Sequence, residues 1–148
     1  MSYHEKRAIV NVFSSVSITA IYSVYLYFRY LAGNGAFIND PAFWAKAFLV
    51  FIPISVVANI IITIIFTIHY HITTHDEAPS ITDERDKIIE LKGSRNALFI
   101  FAIGVVLAMV TLTLEMPIYV MFITIIYAGL LSSVVDELTQ FVLYRRGF

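Results

Sequence analysis

Two adjacent acids near the carboxyl end of the chain are the residues best placed to do chemistry. Asp136 and Glu137 follow a run of 20 uncharged residues that begins after Glu115. Counted from Ile118 at about 1.5 Å per helical residue, they fall near one edge of a membrane hydrocarbon layer. Acids at that depth can titrate and carry protons. The structural alternative, which we expect, pairs Asp136 with an arginine near the membrane surface: Arg95, Arg145 or Arg146.

Polar side chains also recur at helical spacing in the first apolar run. Six of them share one helical face: Asn11, Ser14, Ser15, Tyr22, Tyr25 and Arg29. The face predicts either a polar pathway or ligand groove, or inward packing with hydrogen bonds to neighbouring helices. We favour packing.

The second apolar run contains a proline followed by polar residues in successive turns. Pro53 precedes Ser55, Asn59 and Thr63. A proline frees a carbonyl one turn earlier and kinks a helix, and a kink beside an asparagine can build a transport site. Helix packing explains the same pattern, and we favour that interpretation.

Three histidines are the nearest approach to a metal site. His69, His71 and His75 precede Asp76 and Glu77, and imidazoles with carboxylates can hold zinc or another divalent ion. However, neither an i,i+2 nor an i,i+6 spacing puts two rings on one helix face, as i,i+4 would. We therefore expect no bound metal.

The remaining motifs and the composition exclude several classes of function. The chain has no cysteine, so thiolate nucleophiles, disulfides and cysteine-ligated clusters are excluded. It also lacks the G-x-S-x-G, H-E-x-x-H and phosphate-loop signatures. The net charge of −1 does not suggest a polyanion-binding module. We expect no enzymatic activity, no cofactor and no nucleic-acid partner.

The elements that must position these residues are membrane helices. Apolar residues make up 59% of the 148 positions and charged residues 14%, against about 25% charged in a soluble domain. Four uncharged or nearly uncharged runs are each long enough to cross a bilayer, which needs about 20 residues. We predict an all-α integral membrane bundle, a single domain over residues 1–148. Its four spans are at about 8–31, 43–70, 96–114 and 118–143, and the last two form a tight hairpin around Pro117.

Basic residues predict the orientation of the bundle. Eight of the ten lie at one end: Lys6, Arg7, Arg85, Lys87, Lys92, Arg95, Arg145 and Arg146. Arg29 and Lys46 lie at the other end, where both can snorkel to the interface. Because basic loops stay in the cytoplasm, we predict cytoplasmic termini and a cytoplasmic segment at residues 71–95.

The cytoplasmic segment predicts a short amphipathic helix that runs into the third span. Ser80 and Asp83 have capping-box spacing at its start, and a bend is expected near Gly93. Its candidate docking residues combine an apolar stripe with charge: Ile81, Asp83, Glu84, Arg85, Ile88 and Leu91. Within the spans, small residues four apart predict close helix contacts, namely Gly104 with Ala108 and Gly129 with Ser133.

Two stretches carry a family resemblance. Residues 83–92 read D-E-R-D-K-I-I-E-L-K, and Tyr144, Arg145, Arg146 and Gly147 close the last span. Together they resemble a family of small prokaryotic four-span membrane proteins of unknown function. The resemblance implies a bacterial or archaeal inner membrane and genes beside small helix-turn-helix regulators. It supplies no activity.

The sequence therefore supports two functions of different classes. The first is a non-enzymatic membrane protein whose cytoplasmic layer docks a cytoplasmic or membrane protein partner. The second is a small oligomeric transporter or channel that uses Asp136 and the polar face of the first span. The partners to expect are the lipid bilayer, a second copy of the chain in a homodimer, and the docked protein.

Overall fold

The computed structural model describes residues 3–33, 35, 38–74 and 83–147. Four helices account for the regular structure of this part of the chain: α1 (Tyr3–Ala32), α2 (Pro41–Thr74), α3 (Glu84–Thr113) and α4 (Ile118–Arg145). Each is long and apolar enough to cross a membrane. The predicted all-α membrane bundle of four helices is confirmed.

The helices extend past the predicted spans. α1 begins at residue 3 rather than 8, and α2 ends at residue 74 rather than 70. α3 begins at residue 84, twelve residues before its predicted span, and continues through Gly93. The predicted spans were bounded by charged residues. Such residues mark where a helix passes out of the hydrocarbon layer, but they do not end the helix. The amphipathic helix and the third span are therefore one element.

Local hydrogen bonds fix where the helices begin. The Asp83 carboxylate accepts from the backbone N of Glu84 at 2.7 Å, and the Asp86 carboxylate accepts from the backbone N of Asp83 at 3.2 Å. These bonds form a capping box. It uses Asp83 and Asp86 rather than the predicted pair of Ser80 and Asp83, and Ser80 lies outside the described residues. At α2, the Asp40 carboxylate accepts from the backbone N of Ala42 at 2.9 Å.

The turn between α3 and α4 confirms the predicted hairpin. α3 ends at Thr113, and Pro117 is the N-cap residue directly before α4. Glu115 adopts a left-handed conformation with φ 56°, which reverses the chain within four residues. Proline suits the start of α4 because it has no backbone N–H to leave unsatisfied.

α4 is the central helix of the bundle. It contacts α1, α2 and α3, whereas α3 contacts α4 alone among the described elements. Ring contacts show which ends meet: Tyr3 lies 4.9 Å from Tyr70, and His4 stacks on Tyr144 at 4.6 Å. We call this end, with residues 3–7, 83–95 and 140–147, the terminal end. The opposite end, with residues 33, 35, 38–40 and 114–117, is the loop end.

Small residues bring α3 against α4. One face of α3 buries Gly93, Ala97, Gly104 and Ala108. A Cβ atom added at Gly104 would collide with the Cβ of Ala128 and lie 3.4 Å from its Cα. The predicted close contact is confirmed for Gly104 and Ala108. It is wrong for Gly129, where an added Cβ meets nothing within 4 Å, because this part of α4 borders a cavity.

Candidate functional site

A polar cavity of about 210 Å³ lies at the terminal end, between α1, α3 and α4. Its wall carries four acids, one arginine and one histidine: Asp86, Glu90, Asp136, Glu137, Arg7 and His4. α3 supplies two of the acids and α4 the other two, while α1 supplies both basic groups. The cavity is therefore rich in carboxylates and is built from three helices.

Side-chain amides and a phenol hold three of the four acids. The Asn11 amide donates to a carboxylate oxygen of Glu137 at 2.8 Å. Gln140 donates to Asp136 at 2.9 Å, one turn along α4. The Tyr144 hydroxyl donates to Asp86 at 3.0 Å and so joins α4 to α3. Neutral donors of this kind orient carboxylates without neutralising them.

Asp136 lies at a close approach of α3 to α4. A Cβ atom added at Gly93 would collide with Oδ1 of Asp136 and lie 3.1 Å from its backbone oxygen. A larger residue at position 93 would require the Asp136 side chain to move. Asp136 thus points inward, as its helical face predicted.

The predicted pairing of Asp136 with an arginine is wrong. Within the described residues its partner is Gln140. The guanidinium of Arg95 lies 5.9 Å from the ring of Phe99 instead, and Arg145 and Arg146 are exposed. Arg95 follows Gly93 by two residues, a rotation of about 200° around the helix. It consequently faces away from α4.

A second cavity of about 220 Å³ lies deeper in the bundle, between α1, α2 and α4, and its wall mixes polar and apolar residues. The Ser15 and Ser133 hydroxyls lie in this wall, 3.1 Å apart. Next to it, the Ser14 hydroxyl donates to the amide oxygen of Asn59 at 3.0 Å. The Asn59 amide nitrogen in turn donates to the backbone oxygen of Ser55 at 2.8 Å. The Ser15–Ser133 and Ser14–Asn59 bonds join different helices within the membrane spans, whereas the Asn59–Ser55 bond lies within α2.

The predicted set of intramembrane polar residues divides among three places. Asn11, Asp136 and Glu137 line the terminal cavity. Ser15 and Asn59 line the deeper cavity.

Arg29 lies apart from both groups, near the loop end, where it is exposed. The inward polar face of α1 is confirmed for Ser14, Ser15 and Tyr22, which are buried. It is wrong for Tyr25 and Arg29, which are exposed beside an open cavity between α1 and α2 rather than packed in the bundle.

Sequence reasoning did not assign His4, Arg7, Asp86, Glu90 or Tyr144 to a polar site. Arg7 and His4 lie one and two turns before Asn11, so the same periodicity would have found them. Asp86 and Tyr144 meet across 58 positions of sequence. Local spacing carries no signal for such a contact.

The first three turns of α3 present an exposed face next to the cavity. Ile89 is fully buried, whereas Ile88 is 48% exposed and Leu91 70% exposed. Glu84, Ile88, Leu91 and Arg95 follow one another at intervals of four, three and four residues. They therefore lie along one face of the helix. We call these four residues the docking face. Arg85 borders it and Asp83 caps it; Ile81, also a predicted docking residue, lies outside the described residues.

The histidines of α2 do not form a cluster in the described residues. His69 and His71 are exposed near the end of α2, and His75 lies outside the described residues. In residues 3–33, 35, 38–74 and 83–147, no group of three or more histidine or acidic side chains has the geometry to hold a metal ion.

The four long apolar helices define the class of protein: an all-helical, multi-pass membrane protein. No protein family, no curated protein and no solved structure matches the chain. The resemblance to small prokaryotic four-span membrane proteins stays a prediction.

Proposed function

We propose that this chain is a non-enzymatic membrane protein that docks a protein partner on the docking face of α3. The observation that carries the proposal is an ordered helical segment at the terminal end with two large apolar side chains turned outward. The described residues leave Ile88 48% exposed and Leu91 70% exposed. Amphipathic helices with apolar anchors at such intervals are a common mode of protein recognition.

The docking face belongs to a segment that is held in place before any partner binds. Burial of Ile89 anchors it against the bundle. The Tyr144–Asp86 hydrogen bond ties it to α4, and the capping box at Asp83 closes its first turn. A preordered helix loses less conformational entropy on binding, which favours affinity.

The distance from the membrane argues against lipid as the partner of Ile88. Arg95 is the last charge before the uncharged part of α3, and Ile88 precedes it by seven residues. At about 1.5 Å per residue, Ile88 lies roughly 10 Å from the hydrocarbon edge. The headgroup layer is only about 5–8 Å thick on each side. Ile88 therefore lies beyond the headgroup layer, and contact with lipid does not account for its exposure.

The charges define the partner's surface and the side on which it is found. The outermost turn carries Asp83 and Glu84, with Arg85 beside them. A complementary partner has a groove with an apolar floor and a rim of mixed charge. The basic residues of that rim lie opposite the outermost turn. Since eight of ten basic residues lie at the terminal end, we propose that this end is cytoplasmic. The membrane is then the inner membrane of a prokaryote, as the resemblance implies.

A photo-reactive amino acid at position 88 tests the docking. In living cells we expect irradiation to give one discrete covalent adduct with a different protein. The matched position is Ile103, also in α3 and 57% exposed, which faces lipid and should give no such adduct. An adduct of twice the monomer mass would indicate a homodimer instead. Absence of any adduct at position 88, or the same adduct at both positions, would contradict docking.

A second function is favoured by the terminal cavity and by the polar side chains beside the deeper cavity. Consecutive turns of α1 connect them, because Asn11 contacts Glu137 in the terminal cavity and Ser14 contacts Asn59 beside the deeper one. A polar line from the terminal end into the bundle is typical of transporters and proton pathways. As the alternative function, we propose that the chain transports protons or cations, with Glu137 at the entrance of the pathway.

Proton flux in proteoliposomes separates this alternative from docking. If the chain transports protons, a trapped pH-sensitive dye should respond to an imposed potential, and Glu137→Gln should reduce the rate to that of protein-free vesicles. Glu115→Gln is the control, since Glu115 is exposed in the turn at the loop end. A wild-type rate equal to that of empty vesicles would eliminate transport of protons.

A further inference from the structure

A third cavity, of about 200 Å³, opens between α1 and α2 near the loop end. Two cations stand beside it, Arg29 from the last turn of α1 and Lys46 from the second turn of α2. The rest of its wall is aromatic or aliphatic, with three residues from each helix: Tyr22, Tyr25, Leu26, Phe43, Ala47 and Val50. The cavity thus joins positive charge to an apolar surface.

Neither cation has a counter-ion within the part of the chain that the structure describes. The Arg29 and Lys46 side chains form no hydrogen bond or ion pair with another described residue. The nearest acid in sequence, Asp40, uses its carboxylate to cap α2 through the backbone N of Ala42. Cations at a membrane edge are costly unless an anion or water solvates them. Two cations from different helices beside one cavity therefore favour a bound anion.

The depth of the cavity matches that of lipid phosphates. Arg29 ends the uncharged part of α1, and Lys46 has a long flexible side chain that reaches the same level by snorkelling. Tyr25 is of the residue type that is enriched at headgroup depth. A small water-borne anion would satisfy the cations but leave the aromatic wall uncovered. An amphiphile satisfies both.

We propose that this cavity binds the phosphate of an anionic membrane lipid. Arg29 presents a planar fork that suits two phosphate oxygens, and Lys46 adds a compact second charge. The apolar wall covers the glycerol and the first carbons of an acyl chain. The volume is below the roughly 300–1,000 Å³ of pockets that enclose a whole ligand, so the remaining lipid stays in the bilayer. This site is at the opposite end of the bundle from the docking face and does not depend on it.

Native mass spectrometry of the purified protein in detergent tests the site. The protein is titrated separately with phosphatidylglycerol, phosphatidylcholine and inorganic phosphate. We expect one retained phosphatidylglycerol per chain, with weaker retention of phosphatidylcholine. In the double variant Arg29→Gln and Lys46→Gln, phosphatidylglycerol binding should weaken about tenfold or more, because each basic residue contributes to anionic lipid binding. Lys46→Arg should keep the wild-type affinity.

The matched control removes two cations at the other end of the bundle, Arg145→Gln with Arg146→Gln, and should change the affinity little. An equal loss in both double variants would show general charge attraction and overturn the site. If inorganic phosphate were retained as strongly as phosphatidylglycerol, the site would bind free phosphate, and the proposal of a lipid would be overturned. Circular dichroism checks that the double variant at Arg29 and Lys46 stays folded. If the double variant does not fold, the single variant Lys46→Gln replaces it. An unchanged affinity of that variant for phosphatidylglycerol would contradict the proposal.

Discussion

Gly104→Ala should lower the free energy of unfolding by about 1–3 kcal/mol, the usual effect of adding a methyl group to a packed interface. The new Cβ atom would collide with Ala128, and α3 would have to move away from α4. Because α3 contacts no other described helix, nothing compensates for the lost contact. Small residues supply most of the association between membrane helices, so the loss is felt along the whole pair.

Gly129→Ala is the matched control, since it adds the same methyl group to the neighbouring helix. Nothing lies within 4 Å of the added atom there, and alanine is favoured over glycine in a helix by up to about 1 kcal/mol. We expect unchanged or slightly raised stability. Reversible unfolding of the purified protein in mixed detergent micelles measures both. Equal destabilisation by the two substitutions would contradict the arrangement of α3 on α4.

The helices were predictable because their signal is local. An uncharged run of about 20 residues is a membrane span wherever it packs, and Pro117 after Glu115 already indicates a hairpin. The helix ends were less predictable, as α3 shows. Its first three turns carry charges that stopped the predicted span, yet the backbone continues as one helix.

The candidate site was predictable only where the spacing of residues within one helix determines which side chains share a face. The spacing of Asn11, Ser14 and Ser15 correctly predicted a shared inward face. Its partners could not be read in the same way, since Asn11 meets Glu137 across 126 positions of sequence. The arginine partner expected for Asp136 failed for a related reason: the rotation of α3 about its axis, fixed by Gly93, turns Arg95 away.

Leu91→Asp should weaken the proposed docking about tenfold or more without harming the fold. Leu91 is 70% exposed, and exposed substitutions usually change stability by less than about 0.5 kcal/mol. Burying a leucine in a partner groove is worth about 1.5–3 kcal/mol, so its loss alone weakens binding about tenfold or more. The carboxylate would in addition enter an apolar floor.

The yield of the covalent adduct from the probe at position 88, compared between wild type and Leu91→Asp in the same cells, measures this effect directly. The matched control is Met116→Asp at the loop end, where Met116 is 44% exposed. Docking predicts an adduct yield about tenfold lower in Leu91→Asp, the wild-type yield in Met116→Asp, and similar melting temperatures for all three proteins. An undiminished adduct in Leu91→Asp, or an equal loss in Met116→Asp, would contradict docking on this face of α3.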